Sequence, residues 1–376
     1  MSQAPIVFVQ TPAELNAALR DLGERVAVDT EFHAEHHYFP QLKLIQIRDE
    51  SGPPVLIDPL ALRDLSPLGA ALSQRTLLLH APTQDLQLLA VRCGLRPNRV
   101  FDTQVFAGFA GFGYPTSLGT LSGEVLKLGL QRGSTLSNWQ QRPLTEAQKE
   151  YAASDVRWLH ALFDALWARL DEEGRARATA ATAELVRGSL TPPDPELLWL
   201  ELPGGAILDG QGRAALRRLA AWREATARRL DQPRWQIAPD SALIDLSRRR
   251  PADAMAIAEN RKVPKRLARE FAEEVLMALD EAAEEPKDRW PPSVTVRRDS
   301  AVLDHLLSAW AHRVDAEEGV AASLVMPDPL RRALVLHQLD DRWPAPDLGW
   351  RQKPYGAPIA AISSGDKSIS MRKHRA

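Results

Sequence analysis

Asp155 falls within the apolar stripe of a helix predicted to run from Thr145, where a carboxylate needs a cation or a dense set of hydrogen bonds. At 3.6 residues per turn, Tyr151, Asp155, Trp158, Leu159, Leu162, Leu166 and Leu170 share one face of that helix. Thr145 and Gln148 have the spacing of a capping box, and Gly174 is the expected stop. Three further acids belong with it. Arg25 to Phe32 reads as a strand with Val26, Val28, Thr30 and Phe32 on one side. Asp29 and Glu31 then project together from the other, about 7 Å apart along the chain direction. Asp85 lies in the first turn of a helix that follows the apolar strand Thr76 to His80 and the turn Ala81-Pro82-Thr83. Alone it would only complement the helix dipole; beside the other acids it extends a carboxylate cluster. Clustered carboxylates repel one another, and hard divalent cations such as Mg²⁺ or Mn²⁺ relieve that repulsion.

The elements that must bring these residues together follow from periodicity. Strands are expected at about 5–9, 25–32, 42–48 and 54–58, with a turn at Asp49-Glu50-Ser51-Gly52, and helix alternates with strand through residue 170. The chain has 376 residues, enough for two or three domains, and a single cysteine, Cys93, which points to a reducing compartment without disulfides. The N-terminus has no secretory pattern, and no apolar run approaches the ~20 residues that span a bilayer. The expectation is a soluble, cytoplasmic protein with no membrane partner.

Asp29-Thr30-Glu31-Phe32, His80-Ala81-Pro82-Thr83-Gln84-Asp85-Leu86 and Tyr151-Ala152-Ala153-Ser154-Asp155 resemble the three motifs of the DEDD exonuclease superfamily, in its tyrosine-bearing branch. The segment from Tyr38 to Ile47, with Phe101-Asp102-Thr103-Gln104 and Arg142-Pro143-Leu144-Thr145-Glu146, is similar to the ribonuclease D family within it. The likeness covers roughly residues 5 to 185. It implies an α/β catalytic domain with a ribonuclease H-like mixed sheet and flanking helices. It also implies two divalent metal ions about 4 Å apart, held by Asp29, Glu31, Asp85 and Asp155. Tyr151 would orient the attacking water through its phenol. Thr30 and Phe32 are candidates to touch the terminal nucleotide, with core packing the alternative for Phe32. His80 is a third substrate-contact candidate beside its plainer reading as a structural histidine. Pro82 stands where the family usually has Gly, and Asn138, in Ser137-Asn138-Trp139, stands where Asp is common. His33, Glu35, His36 and His37 match no standard zinc spacing.

The implied activity is 3′→5′ exoribonuclease action on RNA with a free 3′ hydroxyl, releasing nucleoside 5′-monophosphates, with transfer RNA precursors among the substrates. An exodeoxyribonuclease and a non-catalytic RNA-binding scaffold are the alternatives.

Punctuation divides the chain into an exonuclease domain at 1–187, a linker at 188–210, a helical unit at 211–285 and a second linker at 286–298. A helical region at 299–360 and a basic tail at 361–376 follow. Leu219 to Arg223, Asp231-Gln232-Pro233, Ile237 and Leu243-Ile244 resemble the helicase-and-RNase-D C-terminal (HRDC) domain, a small all-α bundle. Leu348-Gly349-Trp350-Arg351 is similar to the end of a degenerate second copy. Residues 1–185 carry 17 basic and 21 acidic residues, a net −4, whereas 211–270 carry 15 and 7, a net +8. That excess predicts nucleic-acid contact through 211–270. Deleting 206–376 is then expected to weaken binding to long RNA and to spare hydrolysis of short oligonucleotides.

Overall fold

The computed structural model describes residues 5–128, 138–294 and 298–365. The strands are Val7–Val9 (β1), Arg25–His33 (β2), Gln41–Arg48 (β3), Val55–Ile57 (β4), Thr76–Leu79 (β5) and Arg99–Asp102 (β6). They form one mixed sheet in the order β1-β4-β3-β2-β5-β6. β3 is antiparallel to β2 and β4, while the pairs β1–β4, β2–β5 and β5–β6 are parallel. The helices of this half are Pro12–Arg20 (α1), Ser66–Ser73 (α2), Thr83–Cys93 (α3), Thr103–Phe109 (α4), Leu118–Leu126 (α5), Glu146–Arg157 (α6), Leu159–Arg169 (α7) and Glu172–Leu190 (α8).

Strand alternation divides the helices between the two faces. Val26 and Val28 of β2, with Leu77 and Leu79 of β5, pack against Leu68 and Leu72 of α2 and Leu86 and Leu89 of α3. Ala27, Leu78 and Phe101 face the other way, onto α4 and α7. On that side α6 lays Ala152 over Leu44 and Leu56.

The single helix expected from Thr145 to Gly174 is in fact three. α6 starts on the anticipated Thr145–Gln148 capping box and ends at Trp158, whose φ of −108° and ψ of −4° break the ladder. Arg48 Nη1 donates to the Arg157 carbonyl at 2.5 Å, satisfying a group at the break. Gly174 does not stop a helix. It lies in the first turn of α8, where its N–H donates to the capping Asp171 carboxylate at 2.7 Å. The leucine spacing hid the break because Leu159, Leu162 and Leu166 enter one core on resuming.

The remaining helices are Gly210–Leu230 (α9), Arg234–Ile237 (α10), Asp240–Arg249 (α11), Ala254–Ala258 (α12), Lys265–Glu270 (α13), Ala272–Glu284 (α14), Arg298–Glu318 (α15), Ala322–Val325 (α16), Asp328–Leu339 (α17) and Gln352–Ser363 (α18). α9, α11 and α14 enclose a separate core. The segment expected to link at 188–210 is not open chain. α8 runs on to Leu190, and Leu198, Trp199 and Leu202 are buried in the α9–α14 core. Trp199 also stacks on Trp343, with ring centroids 6.1 Å apart. Proline and glycine marked where elements end, while the apolar run between them demanded burial.

The C-terminal helices do not stand apart from the exonuclease half. Leu307, Trp310, Tyr355 and Ile359 share one apolar core with Phe106, Phe109, Leu162 and Leu166. Tyr38 and Phe39 at the tip of the β2–β3 loop dock on the end of α9. Tyr38 donates to Glu224, the Phe39 N–H donates to Asp231 at 2.9 Å, and Arg228 lies 5.5 Å from the Tyr38 ring centroid. A clean deletion from residue 206 is therefore not available, since it would strip apolar cover from the catalytic half. The basic end of the expected tail, 366–376, and Ser137 lie outside the described residues.

Candidate metal centre

β2 carries Asp29 and Glu31 on the face covered by α6, in register with Gln46 and Leu44 of β3. A register shift between Glu31 and Phe32 then interrupts the pairing, which resumes at Phe32 opposite Leu42. α6 crosses this face and delivers Asp155 from its last turn, with Tyr151 one turn earlier. One carboxylate oxygen from each of Asp29, Glu31 and Asp155 lies within 4.8 Å of the others. Residues 29, 31 and 155, far apart in sequence, thus converge on a volume the size of one ion's coordination shell.

Asp85 reaches the centre from the opposite face of the sheet, on α3. It is outside the three-acid group among the described residues, but it is tied to β2: Thr30 Oγ1 donates to Asp85 Oδ1 at 2.5 Å. Thr30 is buried, and its side chain is engaged in orienting Asp85. Phe32 is half-buried and packs with the apolar side of β2. Both ring nitrogens of His80 are engaged, Nδ1 with Thr103 Oγ1 at 3.0 Å and Nε2 with the Thr116 carbonyl at 2.9 Å. Burial drives its pKa down to about 4. His80 is a structural histidine in this arrangement, and its role as a nucleotide contact has no free nitrogen to rest on.

Two residues of the family-like segments, Asp102 and Arg142, carry supporting roles that spacing alone did not reveal. Asp102, which caps α4, also accepts from the Ala81 N–H at 2.9 Å and so holds the turn before α3, where Ala81 has a φ of +53°. Pro82 fits that turn because it sits at the cap of α3, where a missing N–H costs nothing. Arg142 clamps Asp58 with two nitrogens, at 2.6 and 2.7 Å, and donates to the Trp139 and Lys43 carbonyls. This bidentate pair fixes the approach to α6. His37, part of the rejected zinc cluster, has both ring nitrogens occupied, by Asp231 and Gln41.

Electrostatics at the centre run against ionisation. Burial, then Asp85, Asp155 and Glu31, raise Asp29 well above the carboxylate range. Burial, then Asp155 and Asp85, lift Glu31 to about 8. Burial takes Asp155 to about 7, against the Tyr151 hydrogen bond that favours its charged form. Asp85 is raised by burial as well, opposed by Thr30. Tyr151 is pushed up by burial and then by Asp155, so its phenol stays a proton donor. Hard oxygen donors that repel one another this strongly fit a divalent cation.

The pH dependence follows from those directions. Between about pH 4 and 8 these four carboxylates bind more protons in the folded chain without metal than in the unfolded one, so stability falls as pH rises through that window, with His80 opposing them below its ordinary value of 6.5. In chelator, the melting temperature should drop by several degrees from pH 5 to pH 8. Millimolar Mn²⁺ should raise it again, and more at pH 8 than at pH 5, because cation and proton compete. Equal gains at both pH values would contradict an acid-only site.

The +8 excess of residues 211–270 is largely neutralised within the fold. Arg217 pairs with Glu196 and Glu285, Arg223 with Asp240, Arg229 with Glu274, Arg249 with Asp245, and Arg250 with Asp209. Several of these acids lie outside the sequence window that was counted. Among the described residues Arg248, Arg261 and Lys265 are exposed and enter none of the ion pairs or hydrogen bonds of this region.

Comparison with known proteins agrees with this geometry. Residues 6–171 match the 3′-5′ exonuclease family model, and residues 213–279 match the HRDC domain model. Ribonuclease D of Pseudomonas paraeruginosa is 33% identical over 338 residues, covering 88% of this chain and 90% of its own. Ribonuclease D of Gluconacetobacter diazotrophicus is 32% identical over 377 residues, covering 96% and 93%. The crystal structure of Escherichia coli RNase D, described as an exoribonuclease involved in structured RNA processing, superposes with a TM-score of 0.82 over 97% of this chain and 100% of that one. At 24% identity that likeness concerns the fold. The sequence relatives, at this identity and over nearly their whole length, place the chain in the ribonuclease D family.

Proposed function

We propose that this protein is a 3′→5′ exoribonuclease that releases nucleoside 5′-monophosphates from RNA with a free 3′ hydroxyl. The observation that carries the reading is the meeting of Asp29, Glu31 and Asp155 oxygens within 4.8 Å, under a helix that also presents Tyr151. Asp29, Glu31 and Asp155 would hold a divalent cation, Mg²⁺ or Mn²⁺, with Asp85 steadied by Thr30 to complete the set for a second. When bound, such ions supply hydroxide near neutral pH and charge to offset the leaving oxygen.

The chain's own groups do the positioning. Tyr151 presents its phenol beside the Asp155 carboxylate, and with its pKa raised it acts as a donor that aligns water, not as a base. Tyr151→Phe should lower turnover about 10- to 100-fold while leaving RNA affinity within about 2-fold. A loss confined to affinity, measured by filter binding beside single-turnover cleavage, would remove the water-aligning role.

The free cations Arg248, Arg261 and Lys265 are the basic residues we assign to RNA capture, with transfer RNA precursors among the substrates. Reversing the three to Glu should flatten the salt dependence of binding. No described helix is long and apolar enough to cross a membrane, and we assign the activity to the cytoplasm.

The deciding experiment is product analysis on RNA and DNA labelled at the 5′ end, with Mg²⁺, Mn²⁺ or chelator. Stepwise shortening of RNA that chelator abolishes is expected. Binding of RNA without shortening in either metal would refute the reading in favour of a scaffold, and faster shortening of DNA would favour an exodeoxyribonuclease.

A further inference from the structure

One polar side chain beside the acids has no assigned part. Gln46 of β3 is fully buried, and neither its amide nitrogen nor its amide oxygen has a hydrogen-bond partner. Such an amide has given up its water without compensation, which native cores rarely tolerate. Its place in the sheet is specific. Gln46 is paired across the strands with Asp29 on β2 and with Leu56 on β4. Opposed residues of an antiparallel pair share a face, with Cβ atoms about 4.5–5.5 Å apart. The amide therefore emerges beside the Asp29 carboxylate, on the face that α6 covers.

Asp29 is in the complementary position. It is partly buried, and its favourable contact is the backbone N–H of Thr30. Among its neighbours on β3 and β4, Leu44 and Leu56 are apolar and Lys43 is held by Gln41 and Gln140, which leaves Gln46 as the neutral donor those strands offer. A partly buried carboxylate short of donors thus lies next to a fully buried amide without partners.

We propose that Gln46 is a positioning residue for Asp29, its Nε2–H donating to the carboxylate when a cation occupies the site. A ligand carboxylate whose orientation is fixed by a neighbouring hydrogen bond binds its ion more tightly, and losing such a partner typically weakens affinity about 10- to 100-fold. The inference rests on reading the acids as a cation site.

Gln46→Met keeps the length of the side chain and removes the amide. Titration of the full-length protein with Mn²⁺ alone, by calorimetry, should show affinity about 10- to 100-fold weaker in the variant. Its melting temperature in chelator should be equal to or higher than that of the unaltered chain, because an unpaired amide has gone. The Mn²⁺ concentration for half-maximal cleavage should rise by the same factor, with kcat at saturating metal nearly restored. Gln46→Leu serves as the second apolar replacement if the methionine variant does not fold. Unchanged Mn²⁺ affinity in a folded variant would overturn the role of Gln46 and leave the site reading intact. Failure of the unaltered chain to bind Mn²⁺ would instead overturn the site reading, and the proposal with it.

Discussion

Asp155→Asn should reduce release of mononucleotides from a 3′-hydroxyl RNA by about 10³-fold or more, in line with loss of one member of a catalytic unit. The substitution keeps size and shape but removes a charge from three oxygens that meet within 4.8 Å. It also removes the carboxylate beside the Tyr151 phenol. The fold should not suffer. Asp155 adds to the repulsion that raises Asp29 and Glu31, so the variant in chelator at pH 8 should melt at or above the temperature of the unaltered chain. Asp29→Asn should behave in the same way. The two measurements separate chemistry from folding: lost cleavage with an unchanged or raised melting temperature is expected. Cleavage at the original rate would refute the assignment.

Removing residues 298–376 should cost the exonuclease half most of its stability. Leu303, Leu307, Trp310, Tyr355, Ile359 and Ile362 fill one core with the helices of that half. Trp350 packs edge-on to Phe109 at 5.0 Å between ring centroids, and the Ala321 N–H donates to the Gly108 carbonyl at 2.8 Å. Arg351, itself buried, pairs with Glu184 at 2.7 Å and donates to the Leu324 and Val325 carbonyls. At about 1.5–3 kcal/mol for each large apolar side chain, losing six such partners forfeits on the order of 10 kcal/mol. That is comparable to the whole stability of a typical domain, and the figure is an upper bound because the exposed face would partly collapse. The truncated chain should aggregate, or melt more than about 10 °C lower and bind a hydrophobic dye. A truncated chain that stays monomeric and melts within about 2 °C of the full one would show the two halves to be separable.

The legible and illegible parts of this protein divide along a physical line. Local periodicity revealed that Asp29 and Glu31 share a strand face, that Thr145 opens a helix, and that Asp85 follows a strand, because each depends on a few neighbouring residues. Two misjudged features had local signals that were ambiguous. Gly174 resembled a stop, but the Asp171 cap that makes it a start is an equally local sign that was passed over. The stretch that holds Leu198, Trp199 and Leu202, set between prolines and glycines, resembled a linker, yet its apolar content argued for burial.

The charge excess of 211–270 overstated the free surface charge for a different cause. The arginines of 211–270 were counted against acids in the same window, whereas Glu196, Asp209, Glu274 and Glu285 reach them from outside it. Pairing in space is not bounded by a window in sequence.

What the chain of residues determined by itself was the family, the set of acids and the order of the elements that carry them, since residue type and short-range spacing encode these. Only the tertiary structure decided that Thr30 serves Asp85, that His80 is sealed by Thr103 and Thr116, that Gln46 lies unpaired against Asp29, and that the last helices close the catalytic core. Each of these is a contact between segments distant in sequence, and such contacts come into being only when sheet register and helix packing bring the segments together.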